Sequence, residues 1–197
     1  MMGRKEPLMA TTDPIRDLTQ LRSLADYFLS RNKLRDYTMV VLGVYSILRI
    51  SDLLKLEWRH VCDSNGHFFS HLQVFEQKTG KRKIFALNKK ALEALQLLYP
   101  NRRSAFIFAS RNGRGYPITR VHAYRLIKNA AEQLEMDGCI SCHSLRKTLG
   151  YFLWKEKNVS PVIIMEMYNH DNFKTTKRYL GVAQDDLDEA YTGIQLF

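Results

Sequence analysis

The stretch "CISCHSLRKT", residues 139–148, admits two incompatible interpretations, and His143 belongs to both. Its first five residues spell C-x-x-C-H, a string typical of c-type haem attachment. Its last six place His143 and Arg146 three residues apart, so on a helix both side chains can meet the same bound group. A phosphate would suit this pair, because arginine is always charged and can bind two phosphate oxygens at once.

The N-terminus and the cysteines argue against haem and against zinc. The N-terminal stretch "MMGRKEPLMATTDP" contains no apolar run of signal-peptide length, and no run elsewhere approaches a membrane span. We therefore expect a cytoplasmic protein with no membrane partner, whereas covalent haem attachment belongs to exported proteins. Zinc needs four ligands, but Cys139 and Cys142 supply only two, and His67 and His71 lie on a predicted strand. We expect neither a metal nor a cofactor, and we assign His143 to the second interpretation.

The composition points to an anionic partner. The chain has 197 residues, enough for one domain, and 45% of them are hydrophobic, as in folded proteins. The 30 Lys and Arg residues outnumber the 20 Asp and Glu residues, which gives a net charge of +10. This charge favours nucleic acid first and an acidic membrane second, with an ordinary basic domain as the alternative.

The hydrophobic pattern predicts a mainly α-helical (α+β) domain with one small antiparallel β-sheet. Apolar residues recur at helical spacing from Asp17, and a second, more apolar helix runs from about Arg35 to Leu48. Arg49 follows directly, where an arginine is costly to bury without a partner. The segments "HFFSHLQVFEQ" and "KRKIFAL" are rich in aromatic and branched residues. They are joined by "KTGK" (residues 78–81), which predicts a hairpin.

Capping residues mark the later helices. Asn88, Thr119 and Ser160 each precede a helical pattern, and the helix that begins at Thr119 is expected to reach about Met136. The run "SCHSLRKTLGYFLWKE" after Gly138 is helical again, and "NFKTTKRYLGV" and the acidic tail form two final short helices. The domain is therefore expected to be mostly helical beyond the hairpin.

Six side chains suited to phosphoryl transfer follow one another in a characteristic order. They are Arg49 in "LRISDLLKLEW", Lys78 in "QKTGK", His143 and Arg146 in "HSLRKT", and His170 and Tyr179 in "YNHDNFKTTKRYL". In this order, and in these structural contexts, the chain resembles the tyrosine recombinases of the phage integrase family from about residue 17 to 185. Residues 1–16 are mostly polar and contain two prolines, so we expect them to form a flexible N-terminal arm. The resemblance implies a catalytic domain at 17–184, followed by a C-terminal tail at 185–197.

The resemblance also implies site-specific recombination of duplex DNA through a covalent intermediate, without metal or ATP. Tyr179 would attack the scissile phosphate and form a 3′-phosphotyrosyl link, releasing a 5′-hydroxyl. Tyr151, Tyr168 and Tyr191 are competing tyrosines, but only Tyr179 stands in "TTKRYL", nine residues after His170. The nucleophile is therefore predicted to be Tyr179.

The other positions take the roles that phosphoryl transfer requires. The resemblance implies that Arg49 and Arg146 bind the non-bridging oxygens and that Lys78 protonates the leaving 5′-oxygen. His143 would help to deprotonate the tyrosine or steady the phosphate. His170 would donate a hydrogen bond to the phosphate. Each residue also has an ordinary structural alternative, such as a turn lysine or a histidine at a helix terminus.

Further residues are expected to support this centre. Asp52, three residues after Arg49, matches the acidic position of the motif and would orient its neighbours. Four arginines are candidates for contacts with the DNA backbone, although a solvated surface explains them nearly as well: Arg111, Arg114, Arg120 and Arg125.

The chain departs from the family pattern at two points. Asn169 stands where the family usually has glycine, but asparagine tolerates the left-handed conformation that such a turn needs. Family members normally carry a separate N-terminal helical domain, whereas fewer than twenty residues precede the predicted domain here. The chain is then either a fragment or a compact recombinase that borrows its grip on DNA from an accessory DNA-binding protein.

Two other functions stay open, and so does the role of the tail. A type IB-like relaxing topoisomerase shares this chemistry, and a non-catalytic DNA-binding regulator could share the fold. If recombination is right, the protein forms a homotetramer on DNA within the nucleoid, as part of a mobile element. The tail would then pack on a neighbouring subunit, or alternatively fold back on its own domain.

Overall fold

The computed structural model describes residues 12–78, 80–112, 115–180 and 192–193, apart from the side chains of Arg178 and Tyr179. Within them lie eight α-helices and two β-strands, in the order α1 (Leu18–Leu29), α2 (Leu34–Tyr45), α3 (Ile50–Leu53), β1 (His71–Phe75), β2 (Arg82–Ala86), α4 (Lys89–Leu98), α5 (Arg120–Gln133), α6 (Cys142–Lys155), α7 (Pro161–Tyr168) and α8 (Phe173–Leu180). Short 3₁₀ helices occupy Trp58–His60 and Tyr99–Asn101. The predicted mainly α-helical class with one small antiparallel sheet is confirmed.

The helices begin where their capping residues predicted. Asn88 accepts a hydrogen bond from the backbone N–H of Ala91 (2.9 Å), and Thr119 accepts one from that of His122 (3.1 Å). Ser160 caps α7 in the same way. These side chains satisfy amide groups that the first turn of a helix leaves without intrahelical partners, which is why their positions could be found in the sequence.

Helix α2 lies at the centre of the core. It is buried along most of its length and packs against α1, α4 and α6. Gly43 allows α6 to approach closely, since a Cβ at this position would lie 2.8 Å from Leu145 Cδ1. The packing of α2 on α6 brings the chain just after α2 against the face of α6 that carries Arg146.

The end of α2 differs from the sequence prediction. The helix ends at Tyr45 rather than near Leu48, and Ile47 adopts a left-handed φ of 53°. This conformation is costly for a β-branched residue and persists only where surrounding contacts hold it. Here the Ile47 carbonyl accepts hydrogen bonds from Arg146 and Lys83, so long-range contacts explain the early termination.

Strands β1 and β2 form a two-stranded antiparallel sheet. Leu72 pairs with Phe85 and Val74 pairs with Lys83, and these four side chains lie on the more buried face of the hairpin. The hairpin is therefore confirmed, with a turn that contains Lys78.

The predicted arm and tail are only partly described. Residues 12–16 lie against the domain, where Ile15 is buried and its N–H donates to Thr148 Oγ1 (3.0 Å). The Asp13 N–H donates to the Cys139 carbonyl (3.1 Å), so this end of the predicted flexible arm is packed. Residues 1–11 and most of the tail, 185–191 and 194–197, lie outside the described residues. In the described ranges, no helix is both long enough and apolar enough to cross a membrane.

Candidate active site

Arg49 and Arg146 come together around the carboxylate of Glu76. Arg49 Nη1 lies 2.7 Å from Glu76 Oε2, and Arg146 Nη1 lies 4.0 Å from Glu76 Oε1. The Glu76 side chain is fully buried, that of Arg146 is 1% exposed, and that of Arg49 is 24% exposed. The partner that a partly buried arginine at position 49 needs is therefore a glutamate from the hairpin.

Two backbone carbonyls also fix the guanidinium of Arg146. Its Nη1 donates to the Ile47 carbonyl in a short hydrogen bond, and its Nη2 donates to the Tyr168 carbonyl at 3.3 Å. These two acceptors follow α2 and end α7, so the arginine of α6 ties three helical segments together. A buried cation that is hydrogen-bonded on two edges has little freedom to move.

Tyr168 links Arg146 to His170. Its hydroxyl donates to the Arg146 carbonyl (2.6 Å), the Arg146 guanidinium lies 5.1 Å from the centre of its ring, and the His170 imidazole stacks on the ring at 5.1 Å. His170 Nδ1 lies 3.0 Å from the hydroxyl of Thr176, which is fully buried in α8. The orientation of His170 is therefore set by α7 and α8 together.

Both predicted histidines are uncharged at neutral pH. Burial, followed by the charges of Arg146 and Arg49, lowers the pKa of His170 to about 4. Partial burial, followed by the charges of Lys147, Arg146 and Arg49, lowers the pKa of His143 to about 4, although its outer edge is open to solvent. Each imidazole thus keeps one ring nitrogen that can accept a proton or a hydrogen bond.

Asp52 of α3 contacts the turn of the hairpin, which contains Lys78. Asp52 is buried, and its Oδ1 accepts a hydrogen bond from the N–H of Gln77 at 3.2 Å. Lys78 follows directly and is exposed. The carboxylate of α3 therefore anchors the backbone beside Lys78, while the lysine projects from the turn.

Lys83 is a basic residue of strand β2 that faces the core. It is 6% exposed, and its Nζ donates to the Ile47 carbonyl (3.2 Å), the same oxygen that Arg146 contacts. Burial, followed by the charge of Arg146, lowers the pKa of Lys83 to about 7. The centre therefore contains a third cationic group whose charge is sensitive to its neighbours.

The remaining predicted residues lie on α8, on a separate groove, at the start of α5, or outside the described part. Tyr179 lies near the end of α8, which packs against α6 and α7, and its side chain is outside the described residues. Arg114 is outside them as well. Arg111 and Arg125 are exposed and line one groove of about 540 Å³, and Arg120 is exposed at the start of α5.

The sequence-based prediction missed Glu76, Lys83 and the connecting role of Tyr168. Charged residues at inward positions of the hairpin were a usable signal, because strand alternation places position 76 with Leu72 and Val74. A charge where an apolar side chain is expected indicates a buried ionic partner.

Comparisons with known proteins identify the family of this chain. A model of the phage integrase family matches residues 16–185. The "Probable integrase/recombinase YoeC" of Bacillus subtilis (strain 168) is 34% identical over 185 residues, which cover 93% of this chain and 97% of that protein.

Two solved structures share the fold. The XerA recombinase superimposes with a TM-score of 0.74 at 19% identity, over 98% of this chain and 66% of that one. The XerH site-specific recombinase, bound to a palindromic difH substrate in a post-cleavage complex, superimposes with a TM-score of 0.72 at 14% identity, over 92% of this chain and 53% of that one. This chain therefore spans about two thirds and about half of these two recombinases.

The helical fold and these matches define a tyrosine recombinase catalytic domain. The chain belongs to the phage integrase family, which places it in the class of site-specific DNA recombinases.

Proposed function

We propose that this protein cuts and rejoins duplex DNA through a 3′-phosphotyrosyl intermediate, with Tyr179 as the nucleophile and without metal or ATP. The observation that carries the proposal is the pairing of Arg49 and Arg146 around one carboxylate, next to two neutral histidines. Two fixed guanidinium groups suit the non-bridging oxygens of a phosphodiester, whose charge grows in the transition state.

In the cleavage step, the phenolic oxygen of Tyr179 attacks phosphorus while the bond from phosphorus to the 5′-oxygen breaks. His143 accepts the phenolic proton, and Lys78 donates a proton to the leaving oxygen. The negative charge of an incoming phosphate raises the pKa of both histidines from about 4, which makes His143 a better base when DNA is bound. The exposed position of Lys78 beside the anchored Gln77 leaves the lysine free to reach the DNA.

Rejoining reverses these steps. A free 5′-hydroxyl attacks the phosphorus of the phosphotyrosyl link and gives its proton to Lys78. The bond from phosphorus to the Tyr179 oxygen breaks, and His143 returns its proton to that oxygen. Because the covalent link conserves the energy of the phosphodiester, strand exchange needs no nucleotide cofactor. We propose that a homotetramer carries out the exchange on duplex DNA. The structural neighbour XerH is described as a site-specific recombinase bound to a palindromic difH substrate, which supports DNA as the partner.

Three exposed arginines away from the candidate site would extend the proposed DNA surface. Arg111 and Arg125 share one exposed groove, and Arg120 opens the helix that forms one wall of it. Basic side chains of this kind bind phosphates through the release of counterions, so DNA affinity should fall steeply with salt.

A suicide substrate tests the proposal. Duplexes nicked next to candidate sites, including the DNA that flanks the gene, release a short fragment on cleavage and trap the covalent complex. We expect a protein–DNA band under denaturing conditions, in the presence of EDTA, that disappears in Tyr179→Phe and persists in the matched variant Tyr151→Phe. A band that survives in Tyr179→Phe would overturn the assignment of the nucleophile. DNA binding without a band in the wild type would favour a non-catalytic DNA-binding protein.

A further inference from the structure

Glu76 is a fully buried carboxylate among cationic groups. Its Oε2 lies 2.7 Å from Arg49 Nη1, and its Oε1 lies 4.0 Å from Arg146 Nη1. Lys83 is also buried nearby, on the inward face of the opposite strand. A carboxylate loses far more hydration in such a position than it does at a surface, so it is stable there only while it is paired.

The hairpin holds the backbone of Glu76 in place. The Glu76 N–H donates to the Lys81 carbonyl (3.0 Å), and its own carbonyl accepts from the Gly80 N–H (2.8 Å). The next residue, Gln77, is anchored by Asp52. Because the backbone is tied on both sides, the carboxylate has a defined position relative to α6 and the end of α2.

This geometry divides the guanidinium of Arg49 into an inner and an outer part, whereas that of Arg146 is 1% exposed. Arginine has five N–H donors in a rigid plane, and one nitrogen of Arg49 is occupied by Glu76 while its side chain remains 24% exposed. The free edge can therefore face a phosphate while the inner edge stays fixed. Without the carboxylate, Arg49, Arg146 and Lys83 would repel one another, since they are close together and poorly hydrated.

We propose that Glu76 is a positioning residue for DNA cleavage, holding the guanidinium groups of Arg49 and Arg146 in their phosphate-binding arrangement before DNA arrives. The inference rests on the proposed function, because it assigns those arginines to the scissile phosphate. It adds a buried acidic residue, which directly follows strand β1, to the proposed centre. Asp52 contacts the backbone of the turn, whereas Glu76 contacts the arginines themselves.

Arginine side-chain NMR tests the positioning without any need for catalysis. The full chain has a mass of 23.0 kDa, which permits ¹⁵N relaxation measurements on Nε–H groups, with signals assigned through Arg49→Lys and Arg146→Lys. In the wild type we expect both groups to be rigid. In Glu76→Gln, which keeps the shape and removes the charge, we expect the order parameter of Arg49 to fall below about 0.6, the range of flexible groups.

Cleavage kinetics test the consequence for the reaction. Single-turnover trapping on the suicide substrate should be slower by about 10- to 100-fold in Glu76→Gln at saturating DNA, because small displacements of a positioned group have effects of this size. The DNA concentration at half-maximal rate should be unchanged. Glu76→Asp is a second test in case Glu76→Gln does not fold, because it retains the buried negative charge. Its shorter side chain should also slow cleavage.

The matched control is Glu57→Gln, which removes a carboxylate from a surface pair with Arg59 (2.8 Å). This variant should leave the mobility of Arg49 and the cleavage rate unchanged. Rigid arginines in both Glu76 variants, or mobile arginines with wild-type cleavage, would overturn the inference. If the wild type forms no covalent complex, the proposed function fails, and the NMR result alone decides whether Glu76 orders the arginines.

Discussion

Helix α7 ends at Tyr168, and its C-cap residue Asn169 has a left-handed backbone, with φ 53° and ψ 41°. The Asn169 N–H donates to the Glu166 carbonyl (2.9 Å), and the His170 N–H donates to the Met165 carbonyl (3.1 Å), so this turn delivers His170 to the site. The expectation that asparagine supports a left-handed turn here is confirmed. We use this position to test how the turn is stabilised, by replacing Asn169 with glycine and with alanine.

The expected difference follows from the backbone conformation. A left-handed conformation costs an L-residue such as alanine roughly 1–2 kcal/mol, whereas glycine adopts it freely. Relative to alanine, glycine lowers the free energy of unfolding by about 0.4–1 kcal/mol, because the unfolded chain with glycine is more flexible. Both variants remove Asn169 Nδ2, which is buried and has no hydrogen-bond partner among the described residues, so that contribution cancels between them. Asn169→Gly should therefore be more stable than Asn169→Ala by about 1 kcal/mol.

Thermal unfolding followed by circular dichroism measures this difference. For a chain of this size, about 1 kcal/mol corresponds to roughly 2–4 °C in Tm. The matched control is the same pair of substitutions at Gln96, an exposed residue inside α4. In a right-handed helix, alanine is favoured over glycine by about 1 kcal/mol, so the order of stabilities should be reversed there.

Two results would refute this reasoning. If Asn169→Ala were as stable as Asn169→Gly, the turn would not depend on a left-handed residue. If glycine were favoured at both positions, the difference at Asn169 could not be assigned to its backbone conformation.

Three further predictions concern packing, pH and DNA binding. A Cβ in Gly150→Ala would lie 2.5 Å from Tyr168 Oη, so we expect the free energy of unfolding in urea to fall by about 1–3 kcal/mol, and an unchanged midpoint would contradict this packing. The pKa values of His143 and His170 are about 4 in the folded protein and 6.5 when unperturbed, so the unfolded chain binds more protons between these values. The free energy of unfolding should therefore fall from pH 6.5 to pH 4. In His170→Gln the urea midpoint should depend less on pH over that window; equal slopes in the variant and the wild type would refute this prediction. Arg125→Ala should weaken binding to all duplexes alike and reduce the slope of log affinity against log salt by about 1, as measured by fluorescence anisotropy, and a loss confined to one sequence would instead indicate base recognition.

Much of the fold could be predicted because its signals are local. Asn88 and Thr119 cap the helices that follow them, and alternation with a glycine-containing turn predicted the hairpin. Each of these features depends on contacts within a few residues, which the sequence displays directly. The helix bounds were less accurate, and α2 ends three residues before the predicted Leu48.

The ordered catalytic set was also visible in the sequence. Arg49, Lys78, His143, Arg146 and His170 were found through their order and local context. The structure places Arg49 and Arg146 around one carboxylate and stacks His170 on Tyr168. Their catalytic roles, and that of Tyr179, remain predictions for the trapping experiment.

By itself, the sequence determined the mainly helical class, the hairpin, the capping sites and the order of the candidate catalytic residues. Only the tertiary structure decided that Glu76 and Lys83 face the arginines and that Ile47 adopts a left-handed conformation. Ile47 has no local reason for this conformation, because its carbonyl is held by Arg146, 99 residues further along the chain. Contacts between distant segments form only when the core brings α2, α6 and the hairpin together, and no local pattern records that arrangement.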